Sequence, residues 1–209
     1  MKKLILIRHG ECDGNIEGRF RGRFDFPLNQ QGIRQSHELG QLLKKVDFKM
    51  IYTSPLKRAK QTADIIATHT LSKVISLETF NNLSLGPWNG ELKAVIAKKY
   101  PEQYKIWISN PESLTFPGLE NLNDVQNRAM LGVKDLRSKH SDETIIVVTH
   151  RAVLKPLIAG LLELKSPWFW KIHLDNASIT TFELNLNNNY MMTKFNCTDH
   201  LNAYVEEKY

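Results

Sequence analysis

The sequence predicts an α/β protein with a mainly parallel central sheet, helices on both faces, an inserted cap segment and a hairpin at the C-terminal edge of the sheet. Two unbroken apolar stretches, residues 4–7 and 145–148, predict strands that are covered on both faces. Helical patterns alternate with the predicted strands, which indicates crossover connections in a parallel sheet. Both long strands run into a histidine, His9 or His150, at the edge where open α/β sheets bind their ligands.

Length and composition favour one domain over residues 1–209. The chain has 209 residues, of which 42% are apolar, and this is enough for one sizeable core. The formal net charge of +6 suggests an anionic partner. Because the basic residues are spread along the chain rather than gathered into one stripe, we expect no nucleic-acid partner.

The remaining composition favours a cytoplasmic protein. Two cysteines, Cys12 and Cys197, are too few for a disulfide framework. No apolar stretch approaches the length of a membrane span, and the N-terminus lacks the apolar region of a signal peptide. We therefore expect no membrane partner, and the sequence leaves a monomer and a homodimer open.

The first half of the chain predicts alternating helices and strands. A polar segment rich in Gly and Arg, residues 12–31, follows the first strand and has the composition of a functional loop. Beyond it we predict a helix over 30–46, a strand over 49–52, a helix ending near residue 68 and a strand over 74–77. Ser54 is predicted as the N-cap of the second helix, with Pro55 at its first position.

Residues 78–118 predict an inserted cap over the edge of the sheet. Gly and Pro interrupt the periodic pattern there, and the aromatic residues between them predict an aromatic surface. We expect one regular element in this segment, a helix over 91–100. Beyond the cap, the patterns predict a helix over 120–139, a strand over 143–149, a helix over 152–162 and a hairpin of strands over 178–186 and 190–195.

Four side chains are predicted to meet if the two long strands are neighbours. His9 and His150 end those strands, Arg8 precedes His9, and Arg58 lies one turn into a helix whose N-terminus offers free N–H groups. Such a pocket suits a phosphoryl group, because arginines bind its oxygens and favour neutral imidazole, the nucleophilic form. Taken alone, Arg58 would also fit an exposed helix face, and His150 would fit an ordinary strand end.

The residues around these positions match a known pattern in register. The motifs are Arg8-His9-Gly10-Glu11-x-x-x-Asn15, Arg19-x-x-Gly22-x-x-Asp25-x-Pro27-Leu28, Ser54-Pro55-Leu56-x-Arg58-Ala59-x-x-Thr62-Ala63, Gly86-x-Trp88-x-Gly90, Pro117-Gly118-x-Glu120 and Val148-Thr149-His150. Together they resemble the histidine phosphatase superfamily, also called phosphoglycerate-mutase-like, and within it the α-ribazole phosphatases and phosphoglycerate mutases. The resemblance covers nearly the whole chain.

The resemblance implies a role for each matched residue. His9 would be the nucleophile and would form a phosphohistidine. Arg8, Arg58 and His150 would clamp the phosphoryl oxygens, and Asn15 would be a further donor. No metal or other cofactor is implied, because fixed arginines carry the positive charge.

One departure from the pattern concerns the general acid. The resemblance places a Glu four residues before Gly86, and this chain has Asn82 there. Because an amide cannot give a proton to the leaving alkoxide, three interpretations stay open. The alignment is shifted, another acid such as Glu78 or Glu91 takes over, or the enzyme is impaired.

Further departures concern the substrate and a rival nucleophile. Arg151 replaces the usual Gly after the second histidine, and Arg21, beside Gly22 of the substrate-binding loop, replaces the usual Gln. Both arginines are predicted to read a second anionic group, although Arg151 fits a solvent-facing position equally well. Cys12 suggests a cysteine-dependent phosphatase, but that chemistry requires Arg six positions later, where this chain has Gly18.

The sequence therefore predicts a phosphomonoester hydrolase that acts on a small phosphorylated metabolite through a phosphohistidine. We prefer a phosphatase to a mutase, because the chain is short for the long cap that retains the phosphoryl group in a mutase. A phosphoglycerate-mutase-type transfer and a non-catalytic module that binds phosphorylated ligands stay open as alternatives.

Overall fold

A computed structural model of the protein describes residues 1–203, so residues 204–209 of the predicted domain lie outside the described part. Its centre is a six-stranded sheet in the order β3-β2-β4-β1-β5-β6. The first four strands in that order run parallel to one another, whereas β5 and β6 are antiparallel to their neighbours. The strands are β1 (Lys3–Arg8), β2 (Met50–Thr53), β3 (Lys73–Ser76), β4 (Thr144–Thr149), β5 (Ile179–Leu184) and β6 (Tyr190–Cys197).

The register of β1 against β4 brings the ends of the two long strands together. Arg8 pairs with Thr149 and Ile7 pairs with Val148, so the residues after both strands emerge side by side. The two strands are therefore neighbours, which is the condition under which the sequence predicts that the two histidines meet. The C-terminal hairpin is confirmed, with β5 pairing to β1 on one side and to β6 on the other.

Helices cover both faces of the sheet, as predicted. Successive side chains of a strand point to opposite faces, and Leu4 and Leu6 accordingly join one buried cluster while Ile5 and Ile7 join the other. No helix among residues 1–203 is long and apolar enough to cross a membrane. The helices are α1 (Asp13–Ile16), α2 (Gln30–Leu43), α3 (Lys57–Thr70), α4 (Lys93–Lys99), α5 (Pro101–Ser109), α6 (Leu122–Lys139) and α7 (Arg151–Leu161).

The prediction that Ser54 caps the helix after β2 is wrong. Helix α3 begins at Lys57, and its N-cap is Leu56. The backbone N–H of Ser54 still donates to the carbonyl of Val148 at 3.0 Å, so Ser54 continues the strand pairing instead of starting the helix. Pairing with the central strand outweighs the local preference of Ser for a cap.

The cap segment contains one helix more than the sequence predicted. Helix α5 starts at Pro101, where the sequence predicts a break in regular structure; proline is well suited to the first position of a helix. The predicted aromatic surface is also partly wrong, because Trp88 is fully buried. Its ring packs 5.0 Å from Phe20 and 5.9 Å from Phe116, so the cap has a small aromatic core of its own.

Candidate active site

His9 and His150 meet at the carboxyl edge of the sheet. Their ring centroids lie 5.1 Å apart, and the ring planes are tilted by 59°. The backbone N–H of His9 donates to Thr149 at 3.0 Å, and the side chain of Asn176 donates to the His9 carbonyl at 3.0 Å. The backbone on both sides of the nucleophile candidate is therefore held by neighbouring strands and loops.

The hydrogen bond of the His9 ring fixes its tautomer. Nδ1 lies 2.6 Å from the carbonyl oxygen of Gly10, and a carbonyl can only accept. Nδ1 therefore carries the proton, and Nε2 keeps its lone pair. Burial, followed by the positive charges of Arg58 and Arg8, lowers the pKa of His9 well below its ordinary value, so the ring is neutral at pH 7.

Gly10 allows the turn after β1 to pack directly against helix α2. A Cβ atom at Gly10 would lie 2.6 Å from the carbonyl oxygen of Gly32, which is closer than real Cβ contacts. The backbone N–H of Gly10 donates to the hydroxyl of Thr62 at 3.0 Å, and that hydroxyl donates to the carbonyl of Arg58 at 2.8 Å. Thr62 thus connects the His9 turn to the first turns of α3.

His150 is bound by Ser54 on one side of its ring. Nε2 lies 2.7 Å from Oγ of Ser54, while Nδ1 is buried and makes no hydrogen bond to the described residues. Burial, followed by the charges of Arg58 and His9, lowers the pKa of His150 well below its ordinary value. An unpaired buried ring nitrogen suits a phosphoryl oxygen as its partner.

Arg8 and Arg58 are fully buried and are not among the residues that line the cavity, but both are close enough to His9 for their charges to lower its pKa. Arg8 Nη1 donates to the carbonyl of Leu174 at 2.7 Å. Arg58 donates to the carbonyls of Gly22 at 2.8 Å and Phe24 at 2.9 Å, which ties the loop after α1 to helix α3. Burial lowers the pKa of Arg58 to about 10, so its guanidinium stays charged at pH 7. The exposed-face interpretation of Arg58 is wrong, because the side chain has no exposed surface.

A cavity opens next to the two histidines. His9, His150, Gly22 and Asn82 contribute to its wall, so the structure gathers these four predicted residues at one place. Asn15 is not among the residues that line the cavity, and its Oδ1 accepts a hydrogen bond from the backbone N–H of Cys12 at 3.1 Å. The role of Asn15 as a phosphoryl donor stays a prediction.

Cations and aromatic rings form most of the remaining cavity wall. Arg21 and Arg151, the two arginines that depart from the resemblance, both line it, as do Arg19 and Lys93. The wall is therefore positively charged as well as aromatic, which suits an anion attached to an apolar or aromatic group. The aromatic side chains of the wall are Phe20, Tyr104, Trp107, Phe169 and Trp170.

Phe169 and Trp170 line the cavity but were not predicted as part of the site. Glu112 of the cap accepts hydrogen bonds from the backbone N–H groups of Trp168 and Phe169, at 2.6 and 2.9 Å. The buried ammonium of Lys155 donates to the Phe169 carbonyl at 2.9 Å and lies 4.4 Å from the Phe169 ring. Neither contact has a local sequence signal, although three consecutive aromatic residues at 168–170 were a sign of a structured wall.

Asn82 is held rigidly in the cavity wall. Its Nδ2 donates to the carbonyl of Gly22 at 2.7 Å, and its Oδ1 accepts from the N–H of Leu83 at 2.9 Å. The carbonyl of Asn82 accepts from Arg23 at 3.0 Å and from Arg128 at 3.3 Å. Side chain and backbone are thus fixed together.

The two glutamates considered as replacement acids lie elsewhere. Glu78 is exposed and accepts a hydrogen bond from Asn81 at 2.9 Å, and Glu91 is exposed as well. Among the described residues that line the cavity, none carries a carboxyl group. Within residues 1–203, no group of three or more His, Cys, Asp and Glu is arranged to hold a metal ion.

The chain is similar to known proteins over nearly its whole length. Phosphoserine phosphatase 1 of Hydrogenobacter thermophilus is 34% identical over 207 residues, which cover 99% of this chain and 98% of that protein. Among solved structures, YhfR of Bacillus stearothermophilus has a TM-score of 0.92 at 29% identity, over 96% of this chain and all of that one. Phosphoserine phosphatase of Entamoeba histolytica, solved with 3-phosphoglyceric acid, has a TM-score of 0.85 at 34% identity, over 96% and 100% of the two chains. The model of the histidine phosphatase superfamily (branch 1) matches residues 4–197, and the chain belongs to that family.

Proposed function

We propose that the protein is a phosphomonoester hydrolase that acts on a small phosphorylated metabolite through a phosphohistidine at His9. The observation that carries this proposal is the hydrogen bond from His9 Nδ1 to Gly10 at 2.6 Å, in a ring that also lines the cavity. It leaves Nε2 unprotonated, and burial with two nearby arginines keeps the ring neutral. A neutral, oriented imidazole beside fixed cations is the arrangement that attack on phosphorus requires.

The reaction runs in two steps. Nε2 of His9 forms a bond to phosphorus while the ester P–O bond breaks, and its electron pair leaves with the alcohol oxygen, which takes a proton from water. Arg8, Arg58 and Nδ1 of His150 stabilise the charge on the three other phosphoryl oxygens. A second water then attacks phosphorus and gives a proton to the solvent, the P–N bond returns its electron pair to Nε2, and inorganic phosphate leaves. Asn15 is retained in this proposal as a further donor.

The relatives support hydrolysis and suggest that the substrate carries a second anionic group. Several proteins of similar length carry the name phosphoserine phosphatase, and one was solved with 3-phosphoglyceric acid. Phosphoserine and 3-phosphoglyceric acid each combine a phosphoryl group with a carboxylate. Arg21 and Arg151 in the cavity wall suit such a second anion. We place the protein in the cytoplasm, as a monomer or homodimer, with no nucleic-acid or membrane partner.

A second candidate function rests on Asn82. A wall without a carboxyl group could serve a module that binds phosphorylated ligands and does not turn them over. Both candidates bind the same ligands, so binding alone cannot separate them. The formation of a phosphoenzyme separates them, because only the hydrolase forms a bond to His9.

The test is to trap phosphate on His9. After brief mixing with ³²P-labelled substrate and denaturation in base, the wild-type protein should carry label that is lost in acid, as a phosphohistidine is. His9→Ala should carry none and should lose roughly 10⁴-fold or more of the turnover. His37→Ala, at an exposed position of α2, is the matched control and should label fully. Turnover that survives in His9→Ala would refute the phosphohistidine, and binding without label or turnover would favour the binding module.

A further inference from the structure

The part of the cavity lining that the structure describes holds no carboxyl group to protonate an alcohol as it leaves. It holds histidines, arginines, a lysine and a tyrosine. Both histidines have a pKa well below the ordinary value, because burial and nearby arginines disfavour the protonated ring. They are therefore neutral at pH 7 and are poor proton donors for an alkoxide.

Asn82 cannot supply the proton either. Its amide N–H bonds to Gly22 at 2.7 Å and its oxygen accepts from Leu83 at 2.9 Å, so the side chain is used to hold the loop. An amide does not ionise in water, and it therefore cannot act as a general acid. The carboxylate of Glu120 does not line the cavity. It accepts a hydrogen bond from Arg128 at 2.6 Å and another from the backbone N–H of Ser84 at 3.1 Å.

The wall also has a second property, its aromatic surface. Phe20, Tyr104, Trp107, Phe169 and Trp170 surround the region beside the histidines. Glu112 and Lys155 hold the backbone of residues 168–170, so the part of this surface formed by Phe169 and Trp170 is preformed. A rigid aromatic wall binds a planar ring better than a short polar chain.

We propose that the preferred substrates are aryl phosphomonoesters, whose leaving oxygen departs without receiving a proton in the transition state; this rests on the proposed function of the same site. The lone pair of His9 Nε2 forms the P–N bond, and the electron pair of the broken P–O bond leaves as an aryloxide. The ring delocalises that charge, and the aryloxide takes its proton later from water. Hydrolysis of the phosphohistidine then releases phosphate, with the proton of the attacking water passing to solvent.

The test is a series of leaving groups. Substituted phenyl phosphates of graded phenol acidity are compared with phosphoserine and glycerol 2-phosphate on the wild-type protein. We expect kcat/KM to rise steeply with leaving-group acidity, and the alkyl esters to be on the order of 10²–10⁴-fold slower than the aryl esters. Similar kcat/KM for both classes would overturn the inference while leaving the proposed function intact. Absence of turnover of every substrate would instead refute the proposed function.

Substitution at residue 82 provides the matched pair. Asn82→Glu introduces a proton donor, and Asn82→Gln has the same length without one. Asn82→Glu should raise the ratio of kcat/KM on the alkyl esters to kcat/KM on the activated aryl esters by at least ~10-fold, and Asn82→Gln should not raise it. An equal gain on both classes, or a gain in Asn82→Gln, would contradict the inference. If Asn82→Glu does not fold, the wild-type series decides alone.

Two further comparisons test the two parts of the proposal separately, the lack of a proton donor and the binding of a ring by the aromatic wall. If the phenol of Tyr104 were the proton donor, Tyr104→Phe would steepen the dependence on leaving-group acidity, and that result would overturn the inference. Acetyl phosphate has an acidic leaving group but no ring, and we expect its KM to be ~10-fold or more above that of 4-nitrophenyl phosphate. Equal KM values would refute the aromatic part of the proposal.

Discussion

The imidazole rings of His9 and His150 lie 5.1 Å apart at the ends of two adjacent parallel strands. Two protonated rings at this distance would repel each other, and both are also surrounded by arginine charge. The fold therefore keeps both rings neutral, and burial is the largest cause of the lowered pKa at each. This arrangement links the chemistry of the site to the stability of the protein.

The first prediction is that acid destabilises the protein below pH 6.5. Above that pH both histidines are neutral in the folded and unfolded chains. Below it both histidines bind protons in the unfolded chain but stay neutral in the folded protein. The free energy of unfolding therefore falls as the pH falls, by up to about 1.4 kcal/mol per pH unit for each histidine. Urea unfolding at pH 7.5, 6.5 and 5.5 measures this. His150→Asn should show a shallower fall, and an equal fall in both proteins would contradict the assignment.

The second prediction concerns the planar shape of Arg58. Its guanidinium donates at once to Gly22 and Phe24, and the ammonium of a lysine cannot reproduce that geometry. Arg58→Lys should lower kcat/KM by about 10- to 100-fold, since one hydrogen bond to a charged group is worth roughly 1.5–3 kcal/mol. Steady-state kinetics on one aryl phosphate measure the loss. Arg137→Lys, far along helix α6, is the control, and a wild-type rate in Arg58→Lys would show that charge alone suffices.

The third prediction excludes the cysteine as nucleophile. Cys12 is fully buried, and its Sγ lies 3.0 Å from Oδ1 of Asn15. Burial raises the pKa of the thiol, against the opposing charges of Arg21 and Arg58, so the unreactive protonated form prevails at pH 7. Cys12→Ser keeps a donor for Asn15 and should retain turnover close to wild type. Loss of the phosphoenzyme in Cys12→Ser, with the fold intact, would revive the thiol mechanism.

The sequence predicted best where local pattern and fold agree. His9 and His150 follow unbroken apolar strands, and such strands pair at the centre of a sheet, so their meeting could be inferred without coordinates. The burial of Arg58 could not be inferred from a helical pattern, because only the loop that covers it makes it buried. Ser54 looked like a helix cap and instead joins the pairing of β4 and contacts His150, which are both long-range interactions.

In the cap, too, long-range contacts decide features that the local sequence pattern does not predict. Trp88 could have been surface or core from its sequence context, and its burial depends on Phe20 and Phe116, each distant in the chain. The clamp of Glu112 and Lys155 on residues 168–170 joins three segments that no periodicity relates. The aromatic part of the cavity wall therefore depends on contacts that only the folded chain reveals, whereas the meeting of the two histidines depends on strand ends that the sequence marks.

The last prediction tests whether Arg21 binds a second anionic group of the substrate. Arg21 lines the cavity, and its Nη1 donates to the carbonyl of Gly14 at 3.1 Å, which holds the guanidinium near the wall. Replacing the charge should weaken substrates that carry a carboxylate and leave others unaffected, since an ion pair in a partly screened site contributes roughly 1 kcal/mol. For Arg21→Gln we expect KM for 4-carboxyphenyl phosphate to rise about fivefold and KM for phenyl phosphate to stay the same. Arg34→Gln, on the exposed face of α2, is the matched control. Equal changes in KM for both substrates would mean that Arg21 serves the phosphoryl group or the loop rather than a second anion.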